Sequence, residues 1–149
     1  MIIQVISALI GSVGFALLFN MKGKQLAAAG IGGALTWIVY LIAQPYFDDY
    51  FIPYLIASLF VGIFAEIMAR VNRAPATIFL TTAAVPLIPG GSLYYTMLGI
   101  VEKDQELMET SANNTITIAL AIAMGFIIIA IISKYWFYFK NHKNAENEK

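Results

Sequence analysis

Two prolines and a glycine pair interrupt one long apolar segment of the sequence, within the stretch Pro86-Leu87-Ile88-Pro89-Gly90-Gly91-Ser92-Leu93-Tyr94-Tyr95. Each proline removes a backbone N–H donor and crowds the preceding turn, so a continuous helix through both prolines is not expected. The glycine pair permits a sharp non-helical turn, and Ser92 can cap a second helix beyond it. The stretch therefore predicts a helix that is broken between Pro86 and Gly91.

If the segment lies in a membrane, a break of this kind indicates a site that faces protein or a wet cavity. Backbone N–H and C=O groups freed by the break cannot hydrogen-bond to lipid, so such backbone is tolerated only inside protein or beside a wet cavity. In secondary transporters it marks the substrate site. About half of the apolar segment, which covers residues 76–100, precedes the break. We therefore expect the break near the middle of the membrane.

The half-helix after the break predicts where a substrate binds. The backbone amides at Gly90, Gly91 and Ser92 would present the positive end of the helix dipole, which binds carboxylates. Tyr94 or Tyr95 would hydrogen-bond another polar group of the same solute. A small acid or zwitterion fits this arrangement. The alternative interpretation is that the break is only a loop between two short interfacial helices.

The composition indicates an integral membrane protein. Of the 149 residues, 60% are hydrophobic and only 12% are charged, and the mean hydropathy is +0.76, whereas soluble domains are about half apolar and a quarter charged. The net charge is zero without a basic stripe, so no nucleic-acid partner is expected. The absence of cysteine excludes disulfides, thiolate metal sites and cysteine nucleophiles. Without paired carboxylates or a metal cluster in the pattern, we expect neither an enzyme nor a cofactor or metal.

Five apolar segments separate the charged clusters and predict an all-α, polytopic membrane protein with about five transmembrane helices. They cover residues 2–19, 26–44, 52–69, 75–100 and 115–132. We expect residues 1–134 to form the transmembrane domain, with the fourth helix discontinuous. Residues 135–149 are expected to form an interfacial aromatic cluster followed by a charged, disordered cytoplasmic tail.

Basic residues follow the first, third and fifth segments, whereas the other two loops are acidic. These basic residues are Lys22, Lys24, Arg70, Arg73, Lys134, Lys140 and Lys143. If every segment crosses the membrane, all of them lie on one side, and the positive-inside rule places this side in the cytoplasm. We therefore expect the N-terminus outside and the C-terminus in the cytoplasm. A re-entrant fourth segment would break this agreement.

Glu66 is the one acidic residue inside a long apolar segment. A carboxylate in lipid is costly and usually faces protein or water. Arg70 follows four residues later on the same helical face, and Arg73 lies close by. One interpretation is a structural ion pair near the cytoplasmic interface. The other is a coupling or gating site, in which Glu66 carries a proton or contacts the substrate.

Several other residues are interpreted as structural. Small residues spaced four apart in the second segment, such as Ala29 and Gly33, predict the close approach of another helix. Trp37 is interpreted as a packing or interface residue. The hydroxyl groups of Thr81 and Thr82 are expected to bond to the backbone of their own helix.

Taken together, these features resemble a known family. They are Phe19-Asn20 with Lys24, the run Ala29-Gly30-Ile31-Gly32-Gly33-Ala34 followed by Trp37, Glu66 with Arg70, Arg73-Ala74-Pro75-Ala76-Thr77, and the stretch from Pro86 to Tyr95. The chain is similar to the small membrane subunit of the bacterial threonine/serine exporter family, whose relatives include a two-subunit system associated with succinate export. The resemblance covers most of the chain, residues 2–132.

The resemblance implies a secondary transporter in the bacterial inner membrane that exports small polar metabolites. It also implies a half-transporter that works with a larger membrane subunit of the same family, in an oligomeric assembly. We expect export of threonine and serine, driven by the proton gradient because no nucleotide-binding motif is present. The alternatives are a dicarboxylate (succinate) exporter subunit and a non-transporting membrane scaffold or assembly subunit.

Overall fold

Six α-helices make up most of the computed structural model, which describes residues 1–147 and the side chains up to Tyr135. They are α1 (Ile2–Leu18), α2 (Lys24–Ala43), α3 (Phe51–Asn72), α4 (Ala76–Ala84), α5 (Gly90–Glu102) and α6 (Gln105–Asn147). Two 3₁₀ turns, Gln44–Tyr46 and Val85–Leu87, follow α2 and α4. No strand occurs within residues 1–147, and the predicted all-α class is confirmed.

The lengths of the helices match a membrane-spanning protein. Three stretches are long and apolar enough to cross a bilayer, namely Lys24–Tyr46, Phe51–Asn72 and Gln105–Tyr135. A fourth candidate span consists of α4 and α5, which meet at a bend of 52°. The apolar helix α1 has 17 residues, slightly fewer than the roughly 20 that a straight crossing needs. These segments agree with the predicted count of about five, and the bend confirms that the fourth is discontinuous.

The helix α2 packs between α1 and α3 through its small residues. A Cβ atom added to Gly33 would collide with the side chain of Ser12 on α1, and one added to Gly32 would collide with the ring of Phe64 on α3. These glycines let the helix backbones approach closely, which is how many membrane helices associate. The predicted contact face of α2 is confirmed.

Replacing Gly33 by alanine is expected to destabilise the chain by about 1–3 kcal/mol, because the new methyl group overpacks the contact with Ser12. Gly14 of α1 is the matched control, since a Cβ atom there meets nothing within 4 Å. Thermal unfolding in detergent, followed by the helical circular dichroism signal, measures both variants. Equal midpoints for Gly33→Ala and Gly14→Ala would contradict this packing.

The helix α6 runs parallel to α3 and contacts it through a second set of small residues. A Cβ atom at Gly125 would collide with Ser58 of α3, and one at Gly62 would lie 2.8 Å from atoms of Ile129. The Ser58 hydroxyl also donates to the carbonyl oxygen of Ala121 at 3.4 Å. Because these contacts advance in the same direction along both helices, α3 and α6 end on the same side of the bundle.

The turns that carry basic residues lie at one end of the bundle, which we term the basic end. A buried cluster near this end joins the last turn of α1, the start of α2, the second half of α3 and the start of α4. Its members are Ala16, Met21, Ala29, Ala65 and Phe79. The parallel helix α6 returns to the same end, where Ser133 and Arg70 line one shallow groove. The basic clusters with described side chains therefore share one end of the bundle, and the predicted orientation in the membrane stays a prediction.

The break, residues 85–89, lies near the opposite end of the bundle. Leu87 is completely buried in a cluster with Tyr40 and Tyr54. Tyr40 lies one turn before the end of α2, and Tyr54 lies one turn after the start of α3. These contacts place the break relative to the other helices and not relative to a bilayer, so its expected position at the middle of the membrane stays a prediction.

The helix α5 leaves this bundle and packs antiparallel to the first part of α6. Gly99 lies directly against the backbone of Met108, so the two helices form a tight hairpin. The carboxylate of Asp104 accepts a hydrogen bond from the backbone N–H of Leu107 (3.0 Å) and caps the start of α6. Only the first half of the predicted broken helix therefore belongs to the bundle.

The predicted boundary after residue 134 falls inside α6, whose backbone continues as a helix to Asn147. The side chains beyond Tyr135 lie outside the described part of the chain. The separate interfacial cluster and charged tail over residues 135–149 stay a prediction.

Candidate functional site

The break leaves helical backbone groups without their usual partners. Its remaining hydrogen bonds run from the N–H of Ile88 to the Val85 carbonyl (3.2 Å) and from the N–H of Gly90 to the Ile88 carbonyl (2.7 Å). Past the break, the N–H of Leu93 donates to the Pro89 carbonyl at 3.0 Å. The amides in between belong to the first turn of α5, whose N–H groups lack intrahelical acceptors.

Gly91 and Ser92 carry these first-turn amides, and no acceptor for them occurs among the described residues. The chain is exposed at Gly90 and Gly91, and a Cβ atom at either glycine would meet nothing within 4 Å. The start of α5 therefore presents free N–H donors at an open surface. Leu87, only three residues before Gly90, is fixed in the core, so this surface is attached to the rigid bundle.

The two predicted tyrosines extend the same surface along α5. Tyr94 is 62% exposed and Tyr95 is 51% exposed, and their rings meet edge to face with centroids 5.4 Å apart. All five predicted substrate-binding residues lie on one stretch of α5, where Gly90, Gly91 and both tyrosines are exposed and Ser92 is half-buried.

The threonine hydroxyls near the break are bound to their own helices. Thr81 donates to the Thr77 carbonyl at 2.9 Å, and Thr82 donates to the Ile78 carbonyl at 2.8 Å. The structural interpretation of these two threonines is confirmed. A ligand would have to compete with these internal hydrogen bonds.

Glu66 and Arg70 form an ion pair of 3.1 Å across one turn of α3. The side chains are 27% and 48% exposed, respectively, and pairs that are this accessible contribute about 0–1 kcal/mol. Arg73 ends α3 in the left-handed conformation, with φ of 50°. All three residues lie towards the basic end, about three to five helical turns from the level of Tyr54. The structure therefore does not bring them together with the residues of α5.

A cavity of about 340 Å³ lies between α1, α2 and the 3₁₀ turn of the break, and the sequence analysis did not predict it. Its lining consists of Ile3, Gln4, Ser7, Ala8, Gly11, Trp37, Val85 and Pro86. The indole Nε1–H of Trp37 is buried and has no hydrogen-bond partner among the described residues. Trp37, interpreted from the sequence as a packing or interface residue, packs against the core beside Tyr40 and also forms one wall of this cavity.

One signal in the sequence points to this cavity. Gln4, Ser7 and Gly11 recur at helical spacing, which gives α1 a small and polar face inside an otherwise apolar helix. The pattern alone does not show which element covers that face.

Comparison with known proteins identifies one family. A family model described as "Threonine/Serine exporter, ThrE" matches residues 4–132. The match includes the break, the start of α5, Glu66 with its arginines, and the cavity residues from Gln4 to Pro86. No curated protein and no solved structure matches the chain.

Proposed function

The chain belongs to the threonine/serine exporter family, and we propose that it is the small subunit of a secondary transporter that exports threonine and serine. The observation that carries this proposal is the break between α4 and α5. Leu87 fixes the break in the core, and the first turn of α5, directly after the break, presents the free amides of Gly91 and Ser92. In a family of amino-acid exporters these amides can bind substrate, because threonine and serine each carry a carboxylate.

In this proposal the substrate carboxylate docks beside Gly90 on the amide groups of Gly91 and Ser92. The N–H of Gly90 already donates to the Ile88 carbonyl, so the hydrogen bonds to the carboxylate come from Gly91 and Ser92. Gly90 has no side chain, so the carboxylate can come close to the backbone. The helix dipole of α5 adds attraction for the negative charge. Tyr94 or Tyr95 donates from its hydroxyl group to the substrate.

The exposed surface of α5 supports the further proposal of a larger membrane subunit. Besides α6, no element makes an extensive contact with α5 in the described chain, and both tyrosines stand open to the surroundings. A transport path needs walls on all sides, so a second protein must cover this surface if the substrate binds there. We expect a larger membrane protein of the same family to co-purify with the tagged full chain from its native membranes.

The positions of the basic residues support an orientation in the bacterial inner membrane. With the basic end in the cytoplasm, the N-terminus is outside and the C-terminus is inside. The break then lies towards the outer face of the membrane, where an exporter releases its substrate. Glu66, Arg70 and Arg73 lie at the cytoplasmic end, where they would couple transport to protons or gate substrate entry.

Replacing Glu66 by glutamine tests this coupling role. We expect export to become less dependent on pH, because glutamine cannot exchange a proton, while the amount of assembled protein stays the same. Assembly should persist because an exposed ion pair contributes at most about 1 kcal/mol. The control is Glu102→Gln, which changes an exposed acid at the end of α5, away from the basic end of the bundle. An unchanged rate and pH profile in Glu66→Gln would leave the ion pair a structural role only.

The proposed function itself is tested by deleting the chain from its native cells and restoring it. We expect deletion to abolish most export of labelled L-threonine and restoration to recover it. Export of labelled succinate, measured in the same cells, tests the dicarboxylate alternative. A loss of succinate export without a loss of threonine export would contradict the proposal.

A further inference from the structure

We propose that the shallow groove between α3 and α6 at the basic end binds an anionic phospholipid, with an acyl chain along the groove and the phosphate beside Arg70 and Ser133. This inference goes beyond the proposed function, because it does not depend on which solute the chain exports. The groove has a volume of about 160 Å³, below the roughly 300 Å³ at which sites that enclose a small molecule begin. It therefore suits a ligand that lies along the protein surface with only part of its length in the groove.

Isoleucine side chains form the apolar part of the groove. Ile63 and Ile67 on α3 and Ile132 on α6 line it, and each of them is between 48% and 55% exposed. Ile129 also lines the groove and is buried. Lipid tails are as apolar as these side chains. An acyl chain can therefore lie between the two helices and cover the exposed isoleucines.

Both walls of the groove change from apolar to polar in the same direction. On α3, Ile63 and Ile67 are followed by Arg70. On α6, Ile132 is followed by Ser133. Because α3 and α6 run parallel towards the basic end, the polar residues of both helices meet at one end of the groove. A phospholipid has the same polarity, with an apolar chain that ends in a polar headgroup.

The charge around the polar end favours an anionic headgroup. Glu66 also lines the groove, but it forms the 3.1 Å ion pair with Arg70, so these two charges balance. The other cationic residues with described side chains at the basic end are all exposed, and they are Lys22, Lys24, Arg73 and Lys134. No further acid occurs among the described residues of this end. Basic pockets between transmembrane helices bind anionic headgroups in this way.

Two groups at the polar end can donate to a phosphate. The Ser133 hydroxyl is one donor. The guanidinium of Arg70, whose side chain is 48% exposed, is the other, and its planar N–H groups match phosphate oxygens. The Nη2 atom of Arg70 faces Glu66, so a bound phosphate shares the guanidinium with that carboxylate.

Three substitutions test the groove. Arg70→Gln removes the cation at its polar end. Ile67→Trp fills its apolar part from a half-exposed position, where the larger ring does not overpack the core. Ile131→Trp is the matched control, because Ile131 is 50% exposed on α6 and does not line the groove.

The primary measurement is native mass spectrometry of the full chain, purified with any partner that accompanies it and mixed with equal amounts of phosphatidylglycerol and phosphatidylcholine. We expect one phosphatidylglycerol to be retained about tenfold more often than phosphatidylcholine, as charge-assisted hydrogen bonds to the phosphate predict. Arg70→Gln should remove most of this preference, and Ile67→Trp should lower retention of both lipids. Ile131→Trp should behave like the unmodified protein, and all variants should unfold at similar temperatures.

Free phosphate and a protein partner are the other possible occupants, and the same preparation distinguishes them. Excess inorganic phosphate should not displace the lipid, because it lacks the acyl chain. Displacement by phosphate, equal retention of the two lipids by the unmodified protein, or an equal loss in Ile67→Trp and Ile131→Trp would overturn the inference. Retention only in preparations without a partner protein would also overturn it, because the partner would then cover the groove.

Discussion

Replacing both Gly90 and Gly91 by leucine is expected to lower threonine export roughly tenfold to a hundredfold without destabilising the chain. The loss corresponds to about one hydrogen bond from an amide to a charged carboxylate, which contributes about 1.5–3 kcal/mol. Leucine side chains at these positions would stand where the carboxylate must approach the backbone of Gly91 and Ser92. Export by cells that carry equal amounts of the variant measures the effect.

The surroundings of both glycines let this test separate a loss of function from a loss of folding. A Cβ atom at either glycine would meet nothing within 4 Å, and neither glycine has a positive φ. Glycine is also among the poorest helix formers, so leucine in the first turn of α5 should raise helical stability by a fraction of a kcal/mol, roughly 0.5. If the variant is stable but no longer exports threonine, the glycines are therefore needed for transport and not for folding.

The matched control replaces the same two glycines by alanine, which adds only methyl groups. We expect the alanine pair to reduce export less than the leucine pair, because the size of the side chain determines how closely a solute approaches. Full export by the leucine pair, in an assembled complex, would contradict the proposed substrate site. It would favour the alternative of a scaffold subunit that does not transport.

Replacing Gly99 by leucine is the second large change, and it is expected to separate α5 from α6. A Cβ atom at Gly99 would lie 2.6 Å from the backbone nitrogen of Met108 and 3.0 Å from the carbonyl oxygen of Asp104. Both neighbours are backbone atoms, so no flexible side chain can move to make room. Overpacking of this kind costs about 1–3 kcal/mol, and here it acts on the one extensive contact that holds α5.

Hydrogen exchange of the α5 amides measures this separation. In Gly99→Leu we expect faster exchange across α5 and a loss of export, while the amides of α2 and α3 keep their protection. The same substitution at Gly14, where the space is open, should change neither. Unchanged exchange in α5 would show that the hairpin with α6 is not what positions this helix.

The helices, the break and the packing face of α2 could be predicted because they depend on local sequence. Proline and glycine act on their own turn, and small residues spaced four apart mark a contact face wherever the helix lies. Glu66 and Arg70 were likewise predicted to share a face, and their ion pair follows from the spacing alone.

The packing of α5 and the cavity beside the break could not be predicted, because both depend on which helices meet. The apolar segment of residues 75–100 predicts an interrupted helix, but nothing local in it indicates that α5 packs along the extended helix α6. Trp37 likewise became a cavity wall only because the 3₁₀ turn at Pro86 packs opposite the polar face of α1.

The central claim, that a solute binds at the start of α5, has a direct test because the chain contains no cysteine of its own. Ser92→Cys introduces a single thiol of nearly the same size at the proposed site, and Ser133→Cys places a matched thiol at the basic end. In native membranes, L-threonine should slow the modification of this chain by a small thiol reagent at least about threefold in Ser92→Cys, as expected when a bound solute covers the thiol at a concentration above its dissociation constant. It should leave the rate in Ser133→Cys unchanged. Equal rates in Ser92→Cys with and without threonine, in a complex that exports it, would contradict the claim.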